Sequence, residues 1–515
     1  MSEKRKNSRT KNSLRNLIVN IVSQSFVVII NFIARTIFIK TLGEEILGIN
    51  GLFSNIINIL SLAELGFSNA IIYGMYKPLK DGDNTKIKQL LKFYRKIYRL
   101  VSLTILILGL CVIPFLGNII NTEAELGNVS LFYVLYLLNT VASYTIVYKT
   151  SLIIADQKTY ILKLCSLGTL FLQFFLQTLI LFATKNFALY LLVQIFCTLL
   201  NNLIGTILTN KKYPYVKEDD AKRLSKQEQK IIFKNVGAMF IHKISGIILN
   251  NTDNILISIL IGTIWVGRYS NYFMLTSAFA NIIYIVLSSA TASVGDLMIE
   301  DDKRKQLSVF NKIMFLCFIL VGFITVELAT LYNDFITIWI GKDFILDDSV
   351  VAIIILNFYI VGILTPTWIF RDASGLFGDT KTSSAIMAIM NIVLSLIFGK
   401  IFGLFGILLA TAVSRLCISF WYQPMLLYRL KFLSPFRQFI FRQIQYVICI
   451  VSSVISSVFI CNMLFGDTTS VFTFILKGLT ALIVFSTIVL ICLRKHKEFK
   501  ESKELLSLFK NKITH

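Results

Sequence analysis

The chain reads as an all-α, polytopic membrane protein with about fourteen transmembrane helices, and three observations carry that reading. It is 55% hydrophobic and only 16% charged, with a mean hydropathy of +0.71, whereas a soluble domain carries roughly 25% charged residues. Apolar runs long enough to cross a bilayer, roughly 20 residues each, recur along its whole length. The polar connections between those runs alternate between strongly basic and nearly neutral.

A basic tail at 1–14 precedes the first block, 15–209, whose spans fall near 15–39, 47–76, 100–120, 129–154, 161–184 and 187–209. The tail runs straight into the first span without an A-x-A cleavage site, which reads as a retained helix and not a removed signal peptide. A basic linker at 210–230 leads into a second block, 231–428, with spans near 231–261, 264–298, 309–340, 349–370, 383–399 and 402–428. Spans near 444–465 and 471–493 follow within 429–493, and a basic tail closes the chain at 494–515. Of the 51 Lys and Arg, 42 lie in the tails and in alternate connections. This is the positive-inside pattern, so the basic side is cytoplasmic and holds both termini.

The net charge of +22 would suggest nucleic acid in a soluble protein. Here orientation accounts for it, and no nucleic-acid partner is expected. The basic rim suits anionic membrane lipids. Segment 80–99 fits an amphipathic interfacial helix and equally a solvated face that orients the next span. The eight cysteines stand singly in apolar runs, without metal-ligand or disulfide spacing, and no metal or cofactor is expected.

At an offset of 219 residues Asn16 falls on Asn235, Asn31 on Asn250, Gly43 on Gly262 and Gly48 on Gly267. Both blocks start in the cytoplasm, so they read as parallel repeats. Two pseudo-symmetric six-helix bundles around a central cavity, plus two C-terminal helices, is the expected architecture.

Ionisable groups inside spans cost about 2.5–3.5 kcal/mol each at the bilayer centre and default to function. Arg35, Glu64, His242, Lys243, Asp253, Arg268, Glu327 and Arg415 are of this kind. At about 100° per residue, Asn16, Asn20, Gln24, Asn31 and Arg35 share one stripe, and Asn235, His242, Gly246, Asn250 and Asp253 another. Arg415, Ser419 and Tyr422 share a face, and Asn50, Ser54, Asn58, Ser61 and Ser68 share one beside Glu64. The amide stripes read equally as cavity lining and as helix-to-helix glue. Arg35 and Arg268 can snorkel. Lys243 can neutralise Asp253 or Glu327, whereas Arg415 is central with no acidic neighbour on its own helix. No P-loop, GxGxxG or HExxH pattern is present, and the outer connections are too short to hold a catalytic domain.

The segments ARTIFIKTLGEEILGINGLFSNI (34–56), LAELGFSNAIIYGMYKPL (62–79), NNTDNILISILIGTIWVGRYSNYF (250–273) and FRDASGLFGD (370–379) resemble bacterial polysaccharide flippases. These are the capsule and O-antigen unit transporters of the multidrug/oligosaccharidyl-lipid/polysaccharide superfamily. The resemblance implies residence in the bacterial cytoplasmic membrane. It implies as substrate an undecaprenyl-diphosphate-linked oligosaccharide carried to the outer leaflet by alternating access, with a polysaccharide polymerase as partner. It maps a basic cavity residue onto Arg35. Position adds Lys243, Arg268 and Arg415 as further diphosphate ligands, since guanidinium donates to phosphate in pairs. Asn31, Asn58, Asn250, Tyr269, Tyr272 and Tyr422 are the expected glycan contacts, and Glu64, Asp253 and Glu327 the candidates for coupling to H⁺ or Na⁺. A cation-coupled multidrug exporter of the same superfamily and a non-transporting scaffold for glycan-assembly enzymes are the alternatives.

Overall fold

The computed structural model describes residues 2–64, 67–121, 127–217, 223–288, 291–300, 302–466, 468–494 and 498–499. Those residues are helical nearly throughout, as a bilayer demands of backbone that has no water to bond with. The chain divides into two compact units, Met1–Gly267 and Arg268–His515.

The first unit holds α1 (Ser2–Leu60), α2 (Phe67–Asp81), α3 (Asn84–Val112), the short α4 (Leu116–Ile119), α5 (Val129–Ser143), α6 (Val147–Ala155), α7 (Thr159–Thr184), α8 (Phe187–Lys212) and α9 (Lys226–Leu260). Helix α1 packs on α7 and α9, and α8 on α5 and α7. Thus α9, which the sequence places at the head of the second block, lies along α1. The second unit begins in the first turn of α10 (Thr263–Ser288). It continues through α11 (Thr291–Ile299), α12 (Lys303–Ile340), α13 (Asp348–Ala373), α14 (Phe377–Ser414), α15 (Phe420–Leu427), α16 (Arg437–Phe465) and α17 (Val471–Leu493). Its centre is α13, apolar and buried along most of its length against α12 and α14, while α16 and α17 pack together on α12.

Polar residues set several of the helix starts. Asp83, Asn128, Asn186 and Asp302 each accept a backbone N–H from the first turn, and Ser225 with Glu228 forms a capping box. Glycines in positive φ set the breaks. Gly43 (φ 85°) interrupts α1 inside the expected connection, and Gly403 (φ 59°) interrupts α14 just past the expected one. The expected span 129–154 is α5 and α6, bent by 46°. There Asn202 of α8 donates to the Ala142 carbonyl at 2.7 Å, replacing a bond that the bend removes.

Ten helices among the described residues are long and apolar enough to cross a membrane, or eleven if the bent pair counts as one. That is fewer than the fourteen expected, partly because Val22–Leu60 and Gly378–Phe432 each count once despite their glycine breaks. Large apolar side chains such as Phe182 and Phe459, each 68% exposed, face outward, where lipid would cover them.

Candidate functional site

In the first unit the polar stripe of α1 serves two purposes. Toward its start, Asn16 donates to the Gln157 carbonyl at 3.0 Å and accepts from the Tyr160 N–H at 2.9 Å. It ties α1 to the head of α7, where Gln157 is itself in positive φ. This is glue. Two turns before the Gly43 break, Arg35 is half-buried and lies within electrostatic reach of Tyr190 on α8, which in turn acts on Tyr136 of α5. Asn31 is exposed.

Past the break, Asn58 is exposed, and its amide donates to Asn251 of α9 at 3.2 Å. Glu64 sits half-buried in a 3-10 turn between α1 and α2 and accepts from the Tyr98 hydroxyl at 3.2 Å. Asp253 is buried, and beside it the buried Asn254 has a side-chain carbonyl oxygen that makes no hydrogen bond among the described residues. The side chains of His242, Lys243 and Asn250 lie outside the described residues.

Both ends of α9 are fastened within this unit. At its start, Lys86 of α3 pairs with Glu228, while Phe233 packs edge-on against Phe67 and Phe93. Lys86 and Ser225 together hold the Glu228 carboxyl below the usual carboxylate range. In its last turn Ser258 donates to the Ile119 carbonyl at 2.7 Å, and just past its end the Thr263 N–H donates to the Asn121 carbonyl at 2.9 Å. The repeat-related glycines matter here. A Cβ on Gly48 would stand 2.1 Å from the Thr263 carbonyl oxygen, and one on Gly267 would stand 2.6 Å from that of Glu44. No side chain fits at either.

A cavity of about 380 Å³ in the same unit, between α5–α6, α7 and α8, has amide and hydroxyl walls that include Thr169, Gln173, Asn201 and Asn202. The hydropathy reading passed over these neutral groups. The signal was present in the Asn201–Asn202 doublet and in Gln173 and Gln177 within otherwise apolar runs.

In the second unit Arg415 opens a π-helical turn, Arg415–Ser419, between α14 and α15. Its guanidinium reaches the Asn357 amide oxygen of α13 at 3.5 Å. π-turns inside α-helices occur frequently at functional sites. Toward the following basic connection, the Tyr422 hydroxyl donates to the Asp379 carbonyl at 3.3 Å, and Arg371 bonds Asp372 and Gln423.

Arg268 is half-buried, and Tyr269 is buried with its ring 5.9 Å from that of Phe273. Tyr272 departs from its expected place facing a sugar. It is wholly buried, its hydroxyl donates to Asn333 at 2.6 Å and accepts from the Leu346 N–H at 3.1 Å, and its carbonyl accepts from Tyr332. The hydroxyl is used in tying α10 to α12 and the start of α13.

Glu327 lies on α12 facing α17, where a Cβ on Gly478 would stand 3.4 Å from its carboxylate. Two turns along, Asp334 forms a 2.7 Å ion pair with Lys477 of α17, whose side chain is only 6% exposed. Both residues lie inside expected spans, 309–340 and 471–493, and neither is among the ionisable groups singled out from the sequence. They border a cavity of about 520 Å³ lined also by Asn333, Asp348, Asn462 and Thr330. No group of three or more metal-ligating side chains occurs among the described residues.

Residues 13–292 match the family described as polysaccharide biosynthesis protein. Comparison with curated proteins gives no match. Among solved structures, the chain is similar to a lipid II flippase MurJ in an inward closed conformation, at 17% identity and a TM-score of 0.68, over 93% of this chain and 99% of that one. An inward-facing multidrug resistance MATE family transporter of the MOP superfamily is similar at 15% identity and 0.63, over 81% and 99%. A MOP superfamily transporter from Pyrococcus furiosus, described as having a binding pocket of reversed polarity, is similar at 14% and 0.56, over 81% and 95%. These likenesses establish the fold.

Proposed function

We propose, from the premise that the chain belongs to the polysaccharide biosynthesis protein family, that it is a flippase for lipid-linked glycan. This is a family of membrane transporters of the MOP superfamily and not of enzymes. The substrate in this reading is an undecaprenyl-diphosphate-linked oligosaccharide repeat unit, carried from the inner to the outer leaflet by alternating access for capsular or exopolysaccharide assembly. A relative in fold is itself described as a lipid II flippase, which supports a lipid-linked cargo.

The observation that carries the reading is Arg415. It stands in the middle of a span, on a π-turn, with its guanidinium on a neutral amide oxygen. A cation held there costs energy, and a diphosphate crossing hydrocarbon needs such a group in place of water. Arg35 with its tyrosines and Lys243 are the anion-binding candidates of the first unit, and Arg268 joins Arg415 as that of the second. The exposed amides Asn31 and Asn58, with Asn250 and the half-buried Tyr422, are the glycan contacts; Tyr269 is the remaining aromatic candidate. With the interior negative, outward passage of a dianion gains about 4.6 kcal/mol per 100 mV, so the membrane potential favours this direction.

Fourteen spans are part of the reading. Dividing the two glycine-broken helices, counting the bent α5–α6 pair as one span and adding α9 to the ten reaches that number. Two six-helix bundles, at 15–209 and 231–428, and a C-terminal pair then follow, with both termini inside.

The test is the leaflet distribution of undecaprenyl-linked glycan in cells with and without the protein. The complete unit accumulates on the inner leaflet without it, and restoring the wild type reverses this while an inserted Arg415→Ala protein does not. An unchanged distribution in cells lacking any other flippase overturns the reading and directs attention to drug efflux. Normal flipping by Arg415→Ala removes that residue from the mechanism.

A further inference from the structure

The second unit contains a carboxylate that nothing described so far uses. Glu327 makes no hydrogen bond or ion pair among the described residues. It stands thirteen residues from the end of α12 at Ile340, about 20 Å along the helix at 1.5 Å per residue. The positive-inside pattern places that end outside, so Glu327 lies deep in the hydrocarbon region. Helix α17 meets it at Gly478, where a Cβ would stand in ordinary contact with the carboxylate, 3.4 Å away.

Between Glu327 and the outer end of the helix lies the 520 Å³ cavity. Its walls carry the Asp334–Lys477 pair and the Asn333–Asp348 hydrogen bond of 2.9 Å. A polar space of that size holds ordered water. Thr330, one helical turn from Glu327, lies on its wall, so water reaches to within a turn of the carboxylate.

We propose that Glu327 is a proton-binding site supplied from the outer side through this cavity, and that its protonation couples proton uptake to the transport cycle. The coupling, though not the site, rests on the flippase reading. In the step itself, a proton from hydronium on the outer side passes along the cavity water, the last water breaks one O–H bond as it regains another, an O–H bond forms on the Glu327 carboxylate, and one negative charge disappears from the seam between α12 and α17. Nothing is oxidised. The charged and titratable groups facing the route are Tyr332 and Asp334 on the same helix, Asp348 of α13, Cys461 of α16 and Lys477 of α17, with Tyr272 of α10 joined through Asn333. Lys477 and Asp334 neutralise each other and Asp348 accepts from Asn333, which leaves Glu327 as the acid of this group with no hydrogen-bond or ion-pair partner among the described residues. Gly478 and Leu331, its neighbours in the seam, offer no side-chain oxygen, whereas a hard metal cation requires several oxygen ligands. A proton requires one.

The first measurement uses infrared difference spectra of the purified full-length protein in lipid nanodiscs between alkaline and acid pH. A protonated-carboxyl C=O band titrates in the wild type, disappears in Glu327→Gln and persists, shifted, in Glu327→Asp. The second uses proteoliposomes held at fixed membrane potential, with the pH gradient present or collapsed. Wild-type glycan flipping changes by up to about tenfold per pH unit, and in Glu327→Gln the ratio falls to one, whatever its absolute rate. An unaltered band in Glu327→Gln overturns the site. A Glu327→Gln protein that keeps the wild-type ratio overturns the coupling. If the wild type flips no lipid-linked glycan, the flippase reading fails and the infrared band still decides the site.

Discussion

At the scale of single residues, membrane depth gives each polar group only a few ways to exist. Asn16 is satisfied by backbone on another helix, Tyr272 by a chain of bonds running through Asn333 to Asp348, and Lys477 by Asp334. The Asp334–Lys477 pair yields a prediction. Removing either member leaves a charge without its partner in a site where Lys477 is almost wholly buried, so Lys477→Met or Asp334→Leu alone should cost about 3–5 kcal/mol, while the double substitution recovers most of that loss. Thermal midpoints of the four proteins in one detergent check it. Additive losses would show that the charges do not depend on each other.

At the scale of elements, glycine is the punctuation, and it does two different things. Gly48 and Gly267 allow backbone to approach backbone. A side chain at Gly267 would meet the Glu44 carbonyl oxygen and the Gly48 amide nitrogen at 2.6 and 3.2 Å, neither of which can rotate away. Gly267→Val should therefore separate α1 from the first turn of α10 and destabilise by about 1–3 kcal/mol or more, read as a lowered melting midpoint and stronger trypsin cleavage. The larger loss should fall at Gly267, since at Gly117, whose φ is not positive, nothing lies within 4 Å of the place a Cβ would take. A Gly117→Val protein as damaged as Gly267→Val would count against close approach as the cause.

At the scale of the whole molecule, most of the fold was legible because a bilayer imposes length and hydropathy on every span, and each glycine break fell at or beside an expected connection. Broken spans were less legible. The bend at 144–146 carries neither Pro nor Gly, and its support comes from Asn202, 60 residues from the carbonyl it serves. The site was legible in part. Arg415 and Glu327 stood out because charge at depth is costly, whereas hydropathy and helical angle do not distinguish a tyrosine facing a cavity from one buried like Tyr272. The neutral cavity walls at Thr169 and Asn201 carry no charge to draw notice. The basic connections predict an orientation that is open to test in a cysteine-free background. A membrane-impermeant maleimide should label Lys185→Cys in intact cells, and Lys80→Cys only after the membrane is opened. The reverse pattern would invert the topology. Finally, the open space around Gly43 and Gly403 has a consequence of its own. Size is no obstacle at either position; handedness is, because both backbones lie in a region that L-residues avoid. A D-alanine introduced by chemical ligation would sit in its natural conformation at both joints and stiffen them, and so would reveal whether the molecule depends on their pliancy or only on their angle.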